Sequence, residues 1–185
     1  MLIQSGIDFN ISFSVLDPDE NAPCKGLADF HVGKLTDYDT VMKFGNTCDI
    51  ITIEIENVNT QALRDLVKAG KRVFPQPEII ELIQDKRTQK SFYKERRIPT
   101  AEFFLTESKH DVQQHENFLP AVHKLGKEGY DGRGVQILKT KADLEKAFDA
   151  PGLLEKLVDY QKEISVIVAR NENGEIATYP AVEMV

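Results

Sequence analysis

Cysteine is scarce: only Cys24 and Cys48 occur among the 185 residues. Neither has metal-like spacing or a neighbouring histidine ligand, so both read as reduced thiols of a cytosolic protein and exclude a disulfide framework. Basic charge is short as well. Lys and Arg number 23 against 30 Asp and Glu, a net charge of −7. The signs are mixed along the chain, so the basic stripe of a nucleic-acid surface is missing, and room is left only for a local cluster that takes a small phosphorylated ligand. No apolar run approaches the roughly 18 residues of a membrane span. The opening MLIQSGIDFNISF carries Asp8 inside its apolar stretch and has no basic flank, so it does not read as a signal peptide. Repeats and low-complexity segments are lacking too. The expectation is a soluble, cytoplasmic chain, long enough to bury a core in one or two domains.

Apolar periodicity lays out the elements. Leu2, Ile3, Ile7 and Phe9 suggest a short opening helix. ISFSVLD reads as a strand closed by the turn-rich DPDENAP, and FHVGKL as a second, short strand. DYDTVMKFGN predicts a helix with Val41, Met42 and Phe44 facing inward and Gly45 as C-cap. CDIITIEIE is a near-continuous apolar run, as in a central parallel strand. The amphipathic helix TQALRDLVKAG and the strand KRVFP follow. This alternation predicts α/β structure with a doubly wound sheet. Such domains open on a strand, whereas this chain opens on a helix, so the first strand is expected to be missing. QPEIIELIQDKRTQKSFYKERRIP predicts a helix in two pieces, with Asp85 capping the second and Pro99 ending it. Next come the strand AEFFLT, a polar helical stretch, and a strand–glycine loop–strand unit. The helix KADLEKAFD, a strand or hinge GLLEKLVDY, and a hairpin EISVIVARNENGEIATYPAVEMV turned at NENG complete the chain.

Four constellations could carry chemistry. The first is the loop KEGYDGRGVQ between the runs LPAVHKL and VQILK. It is longer and more charged than a plain hairpin needs. It is no Walker A loop, because no Gly-Lys-Ser/Thr follows, and no Rossmann fingerprint, because no helix starts after it. A glycine-rich loop between antiparallel strands fits a flap whose backbone N–H groups meet phosphate oxygens. Lys124 on the entering strand would reach a phosphate as a point charge, with Lys127 and Arg133 adding charge at the loop. A mobile surface hairpin with solvated charges is the alternative. The second is LLEKLVDYQKEISVIVAR, where a hinge at Glu155 to Val158 suits an adenine and Glu163 a ribose; an ordinary strand with a solvated acid fits as well. The third is Lys86, beside the N-cap Asp85, as a phosphate ligand or a solvated helix start. The fourth is Glu54, Glu56 and Asn57, at the carboxyl end of the presumed central strand, where open sheets place ligands or where the strand merely ends. His31, His110, His115 and His123 make no metal-like cluster.

Taken in order, LDPDENAPCKGLADFHVGKLTDYD, CDIITIEIENV, QDKRTQK, HKLGKEGYDGRGVQ and EKLVDYQKEISVIVARNENGEIATYPAVE resemble the 5-(carboxyamino)imidazole ribonucleotide synthetases. These are ATP-grasp ligases of purine biosynthesis, and the resemblance spans essentially the whole chain. It implies ATP-dependent carboxylation of 5-aminoimidazole ribonucleotide by bicarbonate, through carboxyphosphate. It implies a truncated pre-ATP-grasp domain at 1–95, the ATP-grasp small subdomain with its flap at 96–158, and the start of the larger subdomain at 159–185. By the same resemblance, Lys86 and Lys124 hold ATP phosphates. Glu155, Lys156, Leu157 and Val158 bind adenine, and Glu163 binds ribose. Tyr130, Asp131 and Arg133 close over the reaction centre, and Glu56 and Asn57 lie at the ribonucleotide. The family's glycine loop falls before Met1 and its Mg²⁺ ligands after Val185. The expectation is therefore a middle half with little or no turnover alone, no metal ligands of its own, and a homodimer as the full-length form. Another ATP-grasp ligase, such as the formate-dependent glycinamide ribonucleotide transformylase, and a non-catalytic nucleotide-binding module are the alternatives.

Overall fold

The computed structural model describes residues 2–127 and 134–184. The chain opens on the expected helix, α1 (Leu2–Ile7). Two parallel strand pairs follow. In one, β1 (Ser14–Asp17) runs beside β2 (Asp29–Val32), with Val15 opposite Phe30. In the other, β3 (Ile50–Thr52) runs beside β4 (Arg72–Phe74), with Ile51 opposite Val73. Between β1–β2 and β3 lies α2 (Tyr38–Asn46). Parallel partners need a crossover, and for β3 and β4 it is α3 (Thr60–Lys68). Asn59 caps α3 by accepting the Ala62 N–H at 2.9 Å. Ala62, Leu63 and Leu66 share one face of α3 and are buried with Val41, Ile51, Val58, Val73 and Ile80.

The alternation of strand and helix is as predicted, but the single sheet is not. β1 and β3 are not hydrogen-bonded to each other, and the two pairs stand as separate sheets. CDIITIEIE accordingly yields only three residues of strand. Among the described residues β3 has a partner on one side alone, and Ile50 and Ile55 are 53% and 46% exposed. Gly45 is not the C-cap of α2. Thr47 holds that place, while Gly45 is buried within the helix, where an added Cβ would lie 2.9 Å from Leu66 Cδ2. The glycine lets α2 and α3 touch. Val41 is buried as expected, whereas Met42 and Phe44 are only half-buried.

α4 (Pro77–Gln84) starts on its proline, which has no N–H to leave unpaired. Asp85 ends it and caps α5 (Lys86–Glu95), accepting the Arg87 N–H at 2.9 Å, so the helix does run in two pieces. The chain then builds a four-stranded antiparallel sheet from β5 (Phe103–Thr106), β6 (Ala121–Leu125), β7 (Val135–Leu138) and β8 (Gly152–Lys156), in the order β5-β8-β6-β7. One face packs on α6 (Lys109–Gln114) and on a 3₁₀ helix at Lys141–Lys146, burying Val112, Ala121, Leu138, Leu144, Ala147 and Leu154. KADLEKAFD is thus a 3₁₀ helix, shorter than predicted: Asp143 accepts the Thr140 N–H at 2.9 Å, and the backbone is extended again at Ala147. α5 packs against β8 on the opposite face. The tail is the predicted hairpin, with β9 (Ile164–Ser165) pairing β12 (Val182–Glu183) and β10 (Val168–Arg170) pairing β11 (Ile176–Thr178). Its turn ends at Gly174, whose φ of +83° favours glycine. No helix among the described residues is long and apolar enough to cross a membrane.

Candidate functional site

The pleat of the four-stranded sheet sorts the charged residues. On β8, Glu155 stands opposite Val122 of β6 and Phe103 of β5. Lys124, two residues along from Val122, shares its face and is the diagonal neighbour of Glu155. Its Nζ donates to Glu155 Oε2 at 2.6 Å. From α5 above, Lys90 Nζ donates to Oε1 and to the Thr100 hydroxyl, and lies 5.8 Å from the centre of the Phe103 ring. The side chains of Glu155 and Lys90 are 11% and 12% exposed and that of Lys124 is 31% exposed. Burial pushes the Glu155 pKa up, but the hydrogen bonds and charges of Lys124 and Lys90 outweigh it and hold the carboxyl below its ordinary value. Two ammonium groups on one carboxylate leave a surplus positive charge in a partly buried cluster, which is what an anion needs.

The stems of the glycine loop are fixed beside this cluster. Leu125 donates its N–H to the Gly134 carbonyl at 2.9 Å, and Gly126 donates to the Pro151 carbonyl at 3.1 Å. The Gly126 carbonyl in turn accepts the Lys86 N–H at 2.8 Å, joining the start of α5 to the loop. A Cβ at Gly126 would lie 2.9 Å from Arg87 Cδ, so glycine permits this approach. Lys127 is exposed at the loop's edge. Tyr130, Asp131 and Arg133 lie outside the described residues.

β8 then runs into the segment expected from the sequence to be a hinge. The Lys156 N–H is spent on the Glu102 carbonyl at 2.8 Å and the Leu157 N–H on the Pro120 carbonyl at 3.2 Å. The Lys156 ammonium donates to the Phe118 carbonyl at 2.9 Å and lies 5.1 Å from the Phe118 ring centre, so this side chain ties down the fold. Val158 is exposed, and among the described residues nothing accepts from its N–H. Glu163 is exposed, its carbonyl accepting the Met184 N–H at 2.9 Å. Glu56 and Asn57 follow β3 and are exposed, the Glu56 carbonyl taking a bond from the Gln84 amide at 2.6 Å. They do not line the cavity of about 490 Å³ at the carboxyl ends of β3 and β4. Thr52, Phe74 and Gln76 line it, with Arg170 and Glu172 from the hairpin.

Residues 91–185 match the ATP-grasp domain family, and residues 1–84 match the ribonucleotide synthetase pre-ATP-grasp domain. The chain belongs to the ATP-grasp family. The resemblance found in its motifs extends over nearly all its residues. It is 33% identical over 190 residues to the N5-carboxyaminoimidazole ribonucleotide synthase of Synechococcus elongatus, covering 99% of this chain and 48% of that protein. A carboxyaminoimidazole ribonucleotide synthase structure from Aspergillus clavatus, complexed with ATP, superposes with a TM-score of 0.90 at 30% identity, covering 100% of this chain and 50% of that one. A further Aspergillus clavatus structure, in complex with ADP and 5-aminoimidazole ribonucleotide, gives a TM-score of 0.85 at 29% identity with the same coverage. The ATP-grasp chain thus spans about half the length of these relatives.

Of the residues singled out from the sequence, the fold brings Lys124 to Glu155 and anchors the backbone of Lys86 at the loop stem. The Glu155 side chain is engaged with lysines, a contact that the hinge reading did not anticipate. Lys90 was missed altogether. Its only sequence signal is its place in QDKRTQK, one helical turn after Lys86 and therefore on the same face of α5. Among the described residues no three His, Cys, Asp or Glu side chains gather as metal ligands.

Proposed function

We propose that this chain supplies the nucleotide-holding part of an N5-carboxyaminoimidazole ribonucleotide synthetase, acting in purine biosynthesis in the cytoplasm. The observation that carries the reading is the Lys90–Glu155–Lys124 cluster, set on the same strand that leads to the open N–H of Val158. An adenine edge pairs at the Glu155–Val158 hinge, its ribose hydroxyls meet Glu163, and Lys86, Lys90 and Lys124 take the phosphates. Bicarbonate oxygen attacks the γ-phosphorus and ADP departs, giving carboxyphosphate. The exocyclic amine of 5-aminoimidazole ribonucleotide then attacks the carboxyl carbon, phosphate leaves, and the nitrogen loses its proton. Charge neutralisation by the lysines and positioning of the reactants carry the first step. Tyr130, Asp131 and Arg133 close over the reacting groups, and Glu56 and Asn57 border the ribonucleotide. Among the described residues the carboxylates do not cluster to hold Mg²⁺.

A division near 95/96 is supported by the passage from parallel strand pairs to an antiparallel sheet and by the two family matches, which cover 1–84 and 91–185, and a second at 158/159 is proposed where that sheet ends with β8. Bicarbonate as co-substrate and a homodimer of the full-length protein belong to the same proposal. Calorimetry of the purified chain tests the site. ATP is expected to bind one-to-one. Val158→Pro, which removes the hinge N–H, is expected to weaken binding about tenfold, while Val158→Ala leaves it unchanged. Absence of ATP binding, or equal binding of GTP, would refute the hinge assignment. In the full-length protein, ATP hydrolysis that requires formate and glycinamide ribonucleotide would refute the substrate assignment.

A further inference from the structure

We propose that the Glu155 carboxylate is the positioning residue of the phosphate site: it holds the ammonium groups of Lys90 and Lys124 on its two oxygens, and so makes the site read the diphosphate part of an adenine nucleotide. This rests on the nucleotide reading above and goes beyond the backbone role of the hinge.

The two lysines come from different elements, one from a helix and one from a strand, each on a flexible four-carbon stem. Left to themselves, two like charges would separate. Glu155 is the shared acceptor that brings them together, and its own backbone is fixed, because β8 is paired on both sides by β5 and β6. Thr100 and the Phe103 ring further restrict Lys90. An ammonium has three donors. Lys90 uses one on Glu155 and one on Thr100, and Lys124 uses one on Glu155, so both keep a donor for a phosphate oxygen. Along an extended chain, three residues from Glu155 to Val158 span about 10 Å, comparable to the reach of a nucleoside from base to phosphate. One strand thereby sets both ends of the ligand.

Replacing the acid separates this account from simple charge balance. Glu155→Gln adds one positive charge to the site. If charge alone governed affinity, ADP would bind more tightly; if position governs it, ADP binds more weakly. Three measurements are made on the purified chain. ADP affinity comes from calorimetry, adenosine affinity from ¹⁵N NMR titration, and lysine accessibility from acetic anhydride labelling read by mass spectrometry without nucleotide. For Glu155→Gln, the ADP dissociation constant is expected to rise about tenfold with adenosine affinity unchanged, and Lys90 and Lys124 are expected to label faster. Glu155→Asp keeps the charge but draws the carboxylate back, and is expected to fall between the two. Tighter or unchanged ADP binding overturns the proposal, as does unchanged labelling. A parallel loss of ADP and adenosine affinity also overturns it, by making Glu155 a support of the hinge. If the wild-type lysines are protected but neither ADP nor adenosine binds, the nucleotide reading itself fails, and the proposal with it.

Discussion

His123 lies on β6 beside Lys124 but faces the other side of the sheet, with none of its surface exposed. Its Nδ1 is 3.3 Å from the Phe148 N–H, which can only donate, so Nδ1 accepts and the proton of the neutral ring sits on Nε2, 3.4 Å from the Thr106 hydroxyl. Burial lowers its pKa from 6.5 to about 4, and a second proton on Nδ1 would set two donors face to face. The folded state thus takes up this proton later than the unfolded state. The contribution to stability is complete above pH 6.5, declines as pH falls through the unfolded value, and is exhausted near the folded one. At about 1.4 kcal/mol for each pKa unit, the loss is about 2 kcal/mol between pH 7.5 and 5, and about 3 kcal/mol in full. Urea unfolding at pH 7.5, 6 and 5 measures it. His123→Gln keeps an acceptor and a donor but does not titrate, so it is expected to start less stable and to lose about 2 kcal/mol less over the same range. Parallel pH curves for the two proteins would refute the reasoning. So would an NMR titration placing the His123 pKa near 6.5 in the folded chain.

Two glycines give further tests. A Cβ at Gly152 would press on the Lys124 carbonyl and lie 3.2 Å from His123 Nε2, so Gly152→Ala is expected to cost about 1–3 kcal/mol in urea unfolding; unchanged stability would refute the tight packing of β6 on β8. Gly45→Ala would gain about 1 kcal/mol of helix propensity on an open surface, but it meets Leu66, and a net loss is expected. Combining it with Leu66→Ala should cost less than the sum of the two single changes, and strict additivity would refute the contact between α2 and α3.

The parts of the site written into local pattern were legible in the sequence. Asp85 sits where a cap must sit, and alternation along AVHKL puts Lys124 on the opposite face from Ala121 and His123. What failed was information that lies between elements. Gly45 looked like a helix stop because glycine usually is one, and only the packing of Leu66 shows that it is a contact point. CDIITIEIE looked like a long central strand because apolar runs of that kind are covered on both faces, yet its length in the structure is set by the partner it has. Lys90 carries only the faint mark of its helical spacing from Lys86. Its role depends on α5 lying over β8, a helix-on-sheet contact that no spacing along the chain announces.

β8 connects these observations. Its Leu154 faces the second core and is fully buried, while Glu155 faces α5 and gathers two lysines. Immediately after it, Lys156 and Leu157 spend their N–H groups on the fold, and Val158 is the first whose N–H has no acceptor among the described residues. Within five consecutive residues the chain passes from hydrophobic anchor to charged cluster to the exposed Val158. A change that shifts β8 in register by one residue would exchange its two faces, burying the carboxylate in the apolar core and turning Leu154 toward the lysines. The site therefore depends on the same pairing that holds the sheet together. His123 and Gly152 lie on β6 and β8, the strands that carry Lys124 and Glu155, so changes that disturb their packing bear on the cluster as well.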